Sequence, residues 1–168
     1  ATFRLYHSTD VRGVEIGGAA KNVLAIGCGI AAGRGLGASA GAALIARGFA
    51  ELTRFGRAFG AQPETLMGLS GVGDLILTCT DNQSRNRRFG LGLGKGLAAK
   101  TIAEGIGQEI EGIPTARIVH ELSLRHQIEM PITEQIYRIL YEGLSPHEAV
   151  KNLLVREPKP ESERPDPS

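Results

Sequence analysis

Apolar side chains recur every three to four positions along most of the chain, which is the spacing of helices that bury one face. The first predicted helix, residues 11–32, is apolar on most sides, as expected for a helix inside a core. A second helix is predicted over 38–60, where Phe49 and Leu52 keep the helical spacing and Gly60 ends the element.

The second half of the chain predicts a series of shorter helices. Several of them begin with a proline or with a polar residue suited to capping a helix. They cover residues 84–94, 101–106, 114–126, 131–142 and 146–155, and a further short helix is predicted to start at Pro63. The pattern therefore predicts a mostly helical domain.

Four segments depart from the helical pattern. Residues 70–74, SGVGD, predict a turn, and the apolar run 75–80, LILTCT, fits a strand or a helix equally well. Residues 3–7, FRLYH, predict a short strand, with Asp10 as a candidate cap for the helix that follows. Because a lone strand needs a sheet, we expect the chain to be the tail of a larger protein. The last segment, 156–168, is rich in proline and charge, so we predict that it is disordered.

Composition narrows the class of protein. Nineteen basic and eighteen acidic residues leave a net charge of +1, which gives no argument for a nucleic-acid or membrane surface. No long uncharged apolar run suggests a membrane span, and the first residues lack the layout of a signal peptide. Cys28 and Cys79 lack CxxC spacing, which favours reduced thiols in a cytoplasmic protein over a disulfide or metal site. The 23 glycines fit a helical domain if they lie where helices pack closely.

Lys21 stands out inside the first predicted helix. It lies in an apolar stretch, where a charged side chain needs a partner. Gly17 and Gly18 precede it by one turn, and each costs about 1 kcal/mol inside a helix. They predict space beside the ammonium for a ligand or a crossing helix, and the adjacent Asn22 adds a hydrogen-bonding group. A lysine held in a cleft is a candidate general acid or base. The alternative is a lysine whose stem packs while its charge reaches water.

The segment 80–90 combines residues suited to helix capping with three arginines, Arg85, Arg87 and Arg88. A helix N-terminus offers free N–H groups, and a guanidinium binds phosphate or carboxylate through two hydrogen bonds. The segment is therefore a candidate anion site, with a solvated basic turn as the alternative. RNA binding is disfavoured, because aromatic residues are not interleaved with the arginines. Asp74 by itself suggests a turn or cap residue, and we find no glycine-rich dinucleotide-binding turn.

Several segments in the same order resemble the C-terminal domain of the glycerol-3-phosphate dehydrogenase family. They are TDVRGVEIGGAAKNVLAIGCGI (9–30), GDLILTCT (73–80), SRNRRFG (84–90), GQEIEGIPTA (107–116) and EMPITEQIYRILYEG (129–143). The resemblance implies an all-α domain similar to the C-terminal-like fold of 6-phosphogluconate dehydrogenase. Residues 1–8 would end a missing Rossmann domain, 9–155 would form the substrate-binding and catalytic domain, and 156–168 a tail.

The resemblance also implies a reaction. NAD(P)H, bound mainly by the missing N-terminal domain, would reduce dihydroxyacetone phosphate to sn-glycerol 3-phosphate for glycerophospholipid synthesis in a cytoplasmic homodimer. Lys21 resembles the family's catalytic proton donor. The remaining matched residues fall into a substrate group, Asn22, Asp74, Thr78, Ser84, Arg85 and Asn86, and a cofactor group, Arg85, Glu109 and Glu111. No metal site is implied. We expect the chain alone to be inactive.

Two alternatives are open. One is the helical domain of another NAD(P)-dependent dehydrogenase, such as a 6-phosphogluconate or hydroxyisobutyrate type; the arginines of 84–90 argue against the second, whose substrate lacks phosphate. The other is a dimerisation or binding module without catalysis. Lys21, Asp74 and Arg85 argue against that module, because a scaffold has no need of them.

Overall fold

The computed structural model describes residues 11–60 and 69–155, and within these ranges the chain forms helices joined by short turns. The eight helices of this part of the chain are α1 (Val11–Gly33), α2 (Gly37–Ala58), α3 (Leu69–Thr80), α4 (Arg85–Gly94), α5 (Ala99–Ile106), α6 (Gly112–Arg125), α7 (Pro131–Tyr141) and α8 (Pro146–Val155). No helix among the described residues is both long and apolar enough to cross a membrane.

The predicted all-α class is confirmed, and the helices predicted within the described ranges lie close to those observed. The turn predicted over 70–74 is wrong, because these residues belong to α3. The open choice for 75–80 resolves as helix. Leu75 and Cys79, one helical turn apart, are both buried, so packing outweighs the low helix propensity of the glycines in this segment.

Several predictions fall outside the described residues. They concern the strand over 3–7, the Asp10 cap, the start of a helix at Pro63 and the disordered tail over 156–168. The division of the chain into 1–8, 9–155 and 156–168 stays a prediction for the same reason.

Helix α1 is the centre of the fold. Its residues Val23, Ala25, Ile26 and Ile30 are buried, and it packs against α2, α3, α4, α6 and α7. A helix surrounded on so many sides must be apolar nearly all round, as its sequence predicted. Each helix that carries a candidate site residue therefore either is α1 or packs against it.

On one side, α1 and α4 cross with their backbones in contact. A Cβ atom added at Gly29 would lie 2.1 Å from the carbonyl oxygen of Arg87, and one at Gly90 would lie 2.0 Å from that of Ile26. The crossing uses four glycines, two on each helix: Gly29, Gly33, Gly90 and Gly94. No side chain separates the two helices here, so their spacing is set by the main chain itself.

On the opposite side, α1 meets α2 and α7 through side chains. A Cβ atom added at Gly27 would lie 2.8 Å from Cδ1 of Ile136, the far end of a flexible side chain. Next to this contact, an apolar cavity of about 630 Å³ opens between α1, α2, α7 and α8. The packing on this side leaves room for side chains to move.

A buried carboxylate joins α2 to α7. The Glu51 side chain is 2% exposed, and its oxygens accept the N–H of Ile132 at 2.6 Å and the N–H and O–H of Thr133, each at 3.2 Å. These N–H groups belong to the first turn of α7, where a helix has no internal acceptors for them. Burial raises the pKa of Glu51 above its ordinary value, although the hydrogen bonds from Ile132 and Thr133 act in the opposite direction.

Candidate active site

The ammonium group of Lys21 forms an ion pair and hydrogen bond with Asp74 of α3. The Lys21 side chain is 19% exposed and that of Asp74 is 57% exposed, so the pair lies at the surface edge of the α1–α3 packing. The lysine is thus held by a partner in the fold. A Cβ atom added at Gly18 would meet no atom within 4 Å, so the crossing helix considered for this position is not found among the described residues.

Asn22, the next residue of α1, connects the lysine to the start of α6. Its side-chain amide donates to the Glu111 carboxylate at 3.5 Å. Gly112 follows, and its N–H donates to Oδ1 of Asn86 at 2.8 Å. A Cβ atom at Gly112 would lie 2.7 Å from that oxygen and 2.8 Å from the Asn22 carbonyl oxygen, so a glycine is needed for this approach. Helix α1, the first turn of α4 and the start of α6 therefore meet in one place.

A pocket of about 350 Å³ lies beside these contacts, within the size range of small-molecule sites. It is formed by the end of α3, the α3–α4 turn, the first turn of α4 and the segment before α6. The residues that line it are Leu77, Thr78, Asp81, Gln83, Ser84, Arg85, Asn86, Glu109 and Glu111. Lys21 flanks this pocket, since Thr78 lies one turn beyond Asp74 and Asn22 contacts Glu111.

The first turn of α4 forms the part of the pocket for which the sequence predicts an anion site. Ser84 is the N-cap of α4, and its hydroxyl accepts the N–H of Arg87 at 3.3 Å. Arg85 is the only cation among the described residues that line the pocket, and its guanidinium also donates to the carbonyl oxygen of Glu109 at 3.4 Å. A helix N-terminus and a guanidinium at one end of a pocket are suited to phosphate.

The nine residues singled out in the sequence come together in this region. Six of them line the pocket: Thr78, Ser84, Arg85, Asn86, Glu109 and Glu111. The other three, Lys21, Asn22 and Asp74, lie beside the pocket. Asn22 is hydrogen-bonded to Glu111, Lys21 is paired with Asp74, and Asp74 lies one helical turn before Thr78. Of the three arginines of segment 84–90, however, only Arg85 lines the pocket.

Sequence reasoning did not single out Leu77, Asp81 and Gln83, which also line the pocket. Their adjacency to Thr78 and Ser84 was the available signal, because a turn between two pocket-forming helices must itself reach the pocket. The Asp81 carboxylate accepts the N–H of Gln83 at 2.9 Å, which stabilises the turn locally. Sequence reasoning also did not identify the part played by Arg87, described below.

The two cysteines are free and buried, Cys28 on α1 and Cys79 on α3. The hydrogen bond with Cys28, together with burial, raises the pKa of the Cys79 thiol above its ordinary value. Cys79 is therefore protonated at neutral pH and serves as a small apolar side chain in the α1–α3 packing.

Comparisons with known proteins identify a family for the chain. The family model for the C-terminus of NAD-dependent glycerol-3-phosphate dehydrogenase matches residues 10–151. The chain is 63% identical over 164 residues to glycerol-3-phosphate dehydrogenase, NAD(P)+, of Methylococcus capsulatus, covering 98% of this chain and 49% of that protein. It is 56% identical over 163 residues to the enzyme of the same name from Shewanella sediminis, covering 97% and 48%.

A solved structure is similar as well. The 2.1 Å crystal structure of glycerol-3-phosphate dehydrogenase from Coxiella burnetii superposes with a TM-score of 0.85 at 54% identity, covering 91% of this chain and 47% of that one. The chain thus spans about half the length of the relatives it matches.

Proposed function

Because the chain belongs to the family of C-terminal domains of NAD-dependent glycerol-3-phosphate dehydrogenases, we propose that it is the substrate-binding, proton-donating half of such an enzyme. The proposed reaction is the reversible reduction of dihydroxyacetone phosphate to sn-glycerol 3-phosphate, which feeds glycerophospholipid synthesis. One observation carries the proposal: the Lys21–Asp74 pair lies one helical turn from a pocket that Arg85 lines.

In this proposal Lys21 donates a proton to the substrate's carbonyl oxygen as the carbonyl carbon is reduced. Asp74 accepts a hydrogen bond from the ammonium and so orients it toward the substrate. In the reverse direction the same amine accepts the proton of the alcohol. Asn22 and Thr78 are placed to orient the substrate's oxygens beside the lysine.

Arg85 and the first turn of α4 bind the phosphate, with Ser84 and Asn86 as neighbouring hydrogen-bonding groups. The phosphate takes no part in the bond changes at the carbonyl carbon. Its binding energy orients the substrate, so that the reacting carbonyl is held against Lys21.

The nicotinamide cofactor is bound mainly by the other half of the full-length protein. The pocket described here suits a molecule of triose size, and a dinucleotide needs a longer groove. Arg85, Glu109 and Glu111 form the edge of the pocket that faces the nicotinamide nucleotide in this proposal. When bound, the reduced cofactor supplies the hydride that reduces the carbonyl carbon.

The full-length protein is proposed to be a cytoplasmic homodimer. Exposed apolar side chains are available for contacts with the other half or with a second subunit. They include Leu77, which is 62% exposed, and Ile118 and Leu124 of α6, which are 57% and 66% exposed.

The test is oxidation of NADH and of NADPH, followed at 340 nm, by the full-length protein with dihydroxyacetone phosphate. Lys21→Ala is expected to lower kcat by about 100- to 10,000-fold, because the proton donor is lost. Lys100→Ala serves as the matched control, since this lysine is exposed on α5 and lies away from the pocket. The ratio of the two cofactor rates measures the preference.

The 168-residue chain assayed alone is expected to show no turnover, because it spans about half the length of the relatives it matches and the cofactor is proposed to bind mainly to the other half. Turnover at the full-length rate by the chain alone would contradict the proposal that the cofactor is bound mainly by the other half of the protein. A Lys21→Ala variant that keeps more than about a tenth of wild-type kcat would remove the lysine from the mechanism.

A further inference from the structure

Arg87 lies outside the pocket lining, yet its side chain joins the two helices whose ends form the pocket. Its Nε donates to the carbonyl oxygen of Cys79 at 2.9 Å, and its Nη1 donates to Oδ1 of Asn82 at 2.8 Å. Cys79 belongs to the last turn of α3 and Asn82 to the turn that follows. One guanidinium therefore holds both the end of α3 and the start of the α3–α4 turn.

The chemistry of this contact favours arginine. The last carbonyl groups of a helix lack N–H donors within the helix and carry partial negative charge, so a cation is stabilised there. The guanidinium is a planar fork whose donors reach two acceptors in a fixed geometry. A lysine at this position would keep the charge but could not hold both acceptors in the same way.

The main chain of Arg87 is itself fixed. Its N–H donates to the Ser84 hydroxyl at 3.3 Å. Its carbonyl oxygen lies at the glycine crossing, where a Cβ atom on Gly29 would come within 2.1 Å. The side chain thus extends from an immobile point on α4 and transmits that position to α3.

We propose that Arg87 is a positioning residue that fixes the distance between the proton-donating end and the phosphate-binding end of the pocket. The inference rests on the proposed function. Asp74 and Thr78 lie on α3, whereas Ser84 and Arg85 lie at the start of α4, and Arg87 sets the offset between these two groups. A substrate anchored at both ends needs that offset, and a substrate without phosphate does not.

This difference gives a readout that a purely structural role would not produce. In Arg87→Ala, kcat/KM for dihydroxyacetone phosphate should fall by about 10- to 100-fold, the scale of a small misplacement of bound groups. For unphosphorylated dihydroxyacetone, assayed at high concentration, the same variant should lose less than about threefold, because nothing anchors that substrate at Arg85.

The experiment uses the full-length protein. Arg88→Ala is the matched control: it removes the neighbouring, exposed arginine, which does not line the pocket. Asn82→Ala is the milder variant, because it removes one of the two acceptors and leaves the bond to Cys79. If Arg87→Ala does not fold, Asn82→Ala replaces it in the test. It should show a smaller loss of the preference for dihydroxyacetone phosphate over dihydroxyacetone.

Equal losses for both substrates, or no loss for either, would overturn the proposal. Amide hydrogen exchange tests the hold of Arg87 on the α3–α4 turn independently of turnover. In Arg87→Ala, amides of residues 81–85 should exchange faster while those of buried α1 are unchanged, and unchanged exchange over 81–85 would also overturn it. If the wild type fails to reduce dihydroxyacetone phosphate, the proposed function fails, and the exchange measurement still tests the hold of Arg87 on the turn.

Discussion

The two sides of α1 are packed in different ways. Toward α4 the contact is backbone against backbone, with glycines on both helices. Toward α2 and α7 it is made by side chains, next to a cavity of about 630 Å³. The candidate active site is built on the first side, where no side chain can change its rotamer to alter the helix spacing.

This difference indicates what each side tolerates. At the α1–α4 crossing, an added methyl group meets main-chain atoms that cannot move without moving a whole helix. On the α2–α7 side, an added methyl group meets side chains that can shift, while the removal of a side chain leaves its partners unsatisfied. Alanine substitutions at Gly29, Glu51 and Gly27 test this contrast from the largest expected change in stability to the smallest, and a pH measurement adds a second test at Glu51.

The largest effect is expected for Gly29→Ala. The new methyl group would lie 2.1 Å from the carbonyl oxygen of Arg87, so α1 and α4 would have to separate. We expect the free energy of unfolding to fall by about 3 kcal/mol, measured by urea unfolding of the chain. Gly105→Ala is the control, since a Cβ atom there meets no atom within 4 Å in α5. A Gly29→Ala variant as stable as the control would show that the crossing is not rigid.

A smaller loss is expected for Glu51→Ala, on the side-chain side of the comparison. The change leaves the N–H groups of Ile132 and Thr133 without their acceptor in a buried place. We expect a loss of about 2 kcal/mol, again from urea unfolding. Glu148→Ala, at an exposed position in the first turn of α8, is the matched control and should change stability little.

The pH dependence gives Glu51 a second signature. Because burial raises its pKa in the folded state, the folded protein binds more protons than the unfolded chain just above the ordinary value of 4.5. The contribution of Glu51 to stability is therefore present at low pH and decreases as the pH rises through that window. The stability advantage of the wild type over Glu51→Gln should shrink as the pH rises above 4.5. An advantage that grows with pH would mean that folding lowers the pKa of Glu51.

The smallest effect is expected for Gly27→Ala, two residues from the first substitution and on the other face of the same helix. The new methyl group would meet Cδ1 of Ile136 at 2.8 Å, and Ile136 borders the cavity, so it has space to shift. The gain in helix propensity, about 1 kcal/mol, should offset most of the remaining crowding. Urea unfolding should place this variant within about 1 kcal/mol of the wild type. A loss as large as that of Gly29→Ala would erase the difference between the two sides.

Much of the fold was predictable because helical spacing is a local property. The helix over 11–32 and the shorter helices after residue 84 follow from apolar periodicity and from caps such as Ser84. The error over 70–74 arose because glycines usually mark turns, whereas here burial of Leu75 and Cys79 against α1 stabilises the helix. Local propensity does not contain that long-range contact.

The site was predictable only in part for the same reason. Lys21 was a candidate because it lies in an apolar helix, and Arg85 because it follows residues suited to helix capping. That Asp74 and Glu111 belong to the same site was implied only by the family resemblance. The glycine spacing at 29–33 and 90–94 is visible in the sequence, yet nothing local says that the two pairs meet. The capping of α7 by Glu51 joins residues 81 positions apart, which no local pattern reveals.

Helix α1 carries Lys21 and Asn22 on the same rigid rod as Gly29. Inserting one residue between Asn22 and Gly29 would turn one end against the other by about 100° and shift it by about 1.5 Å. The glycines could then stay at the crossing only if the lysine pointed away from Asp74. The length of this segment is therefore as constrained as its composition, and changes of chain length can accumulate in the loops but not here.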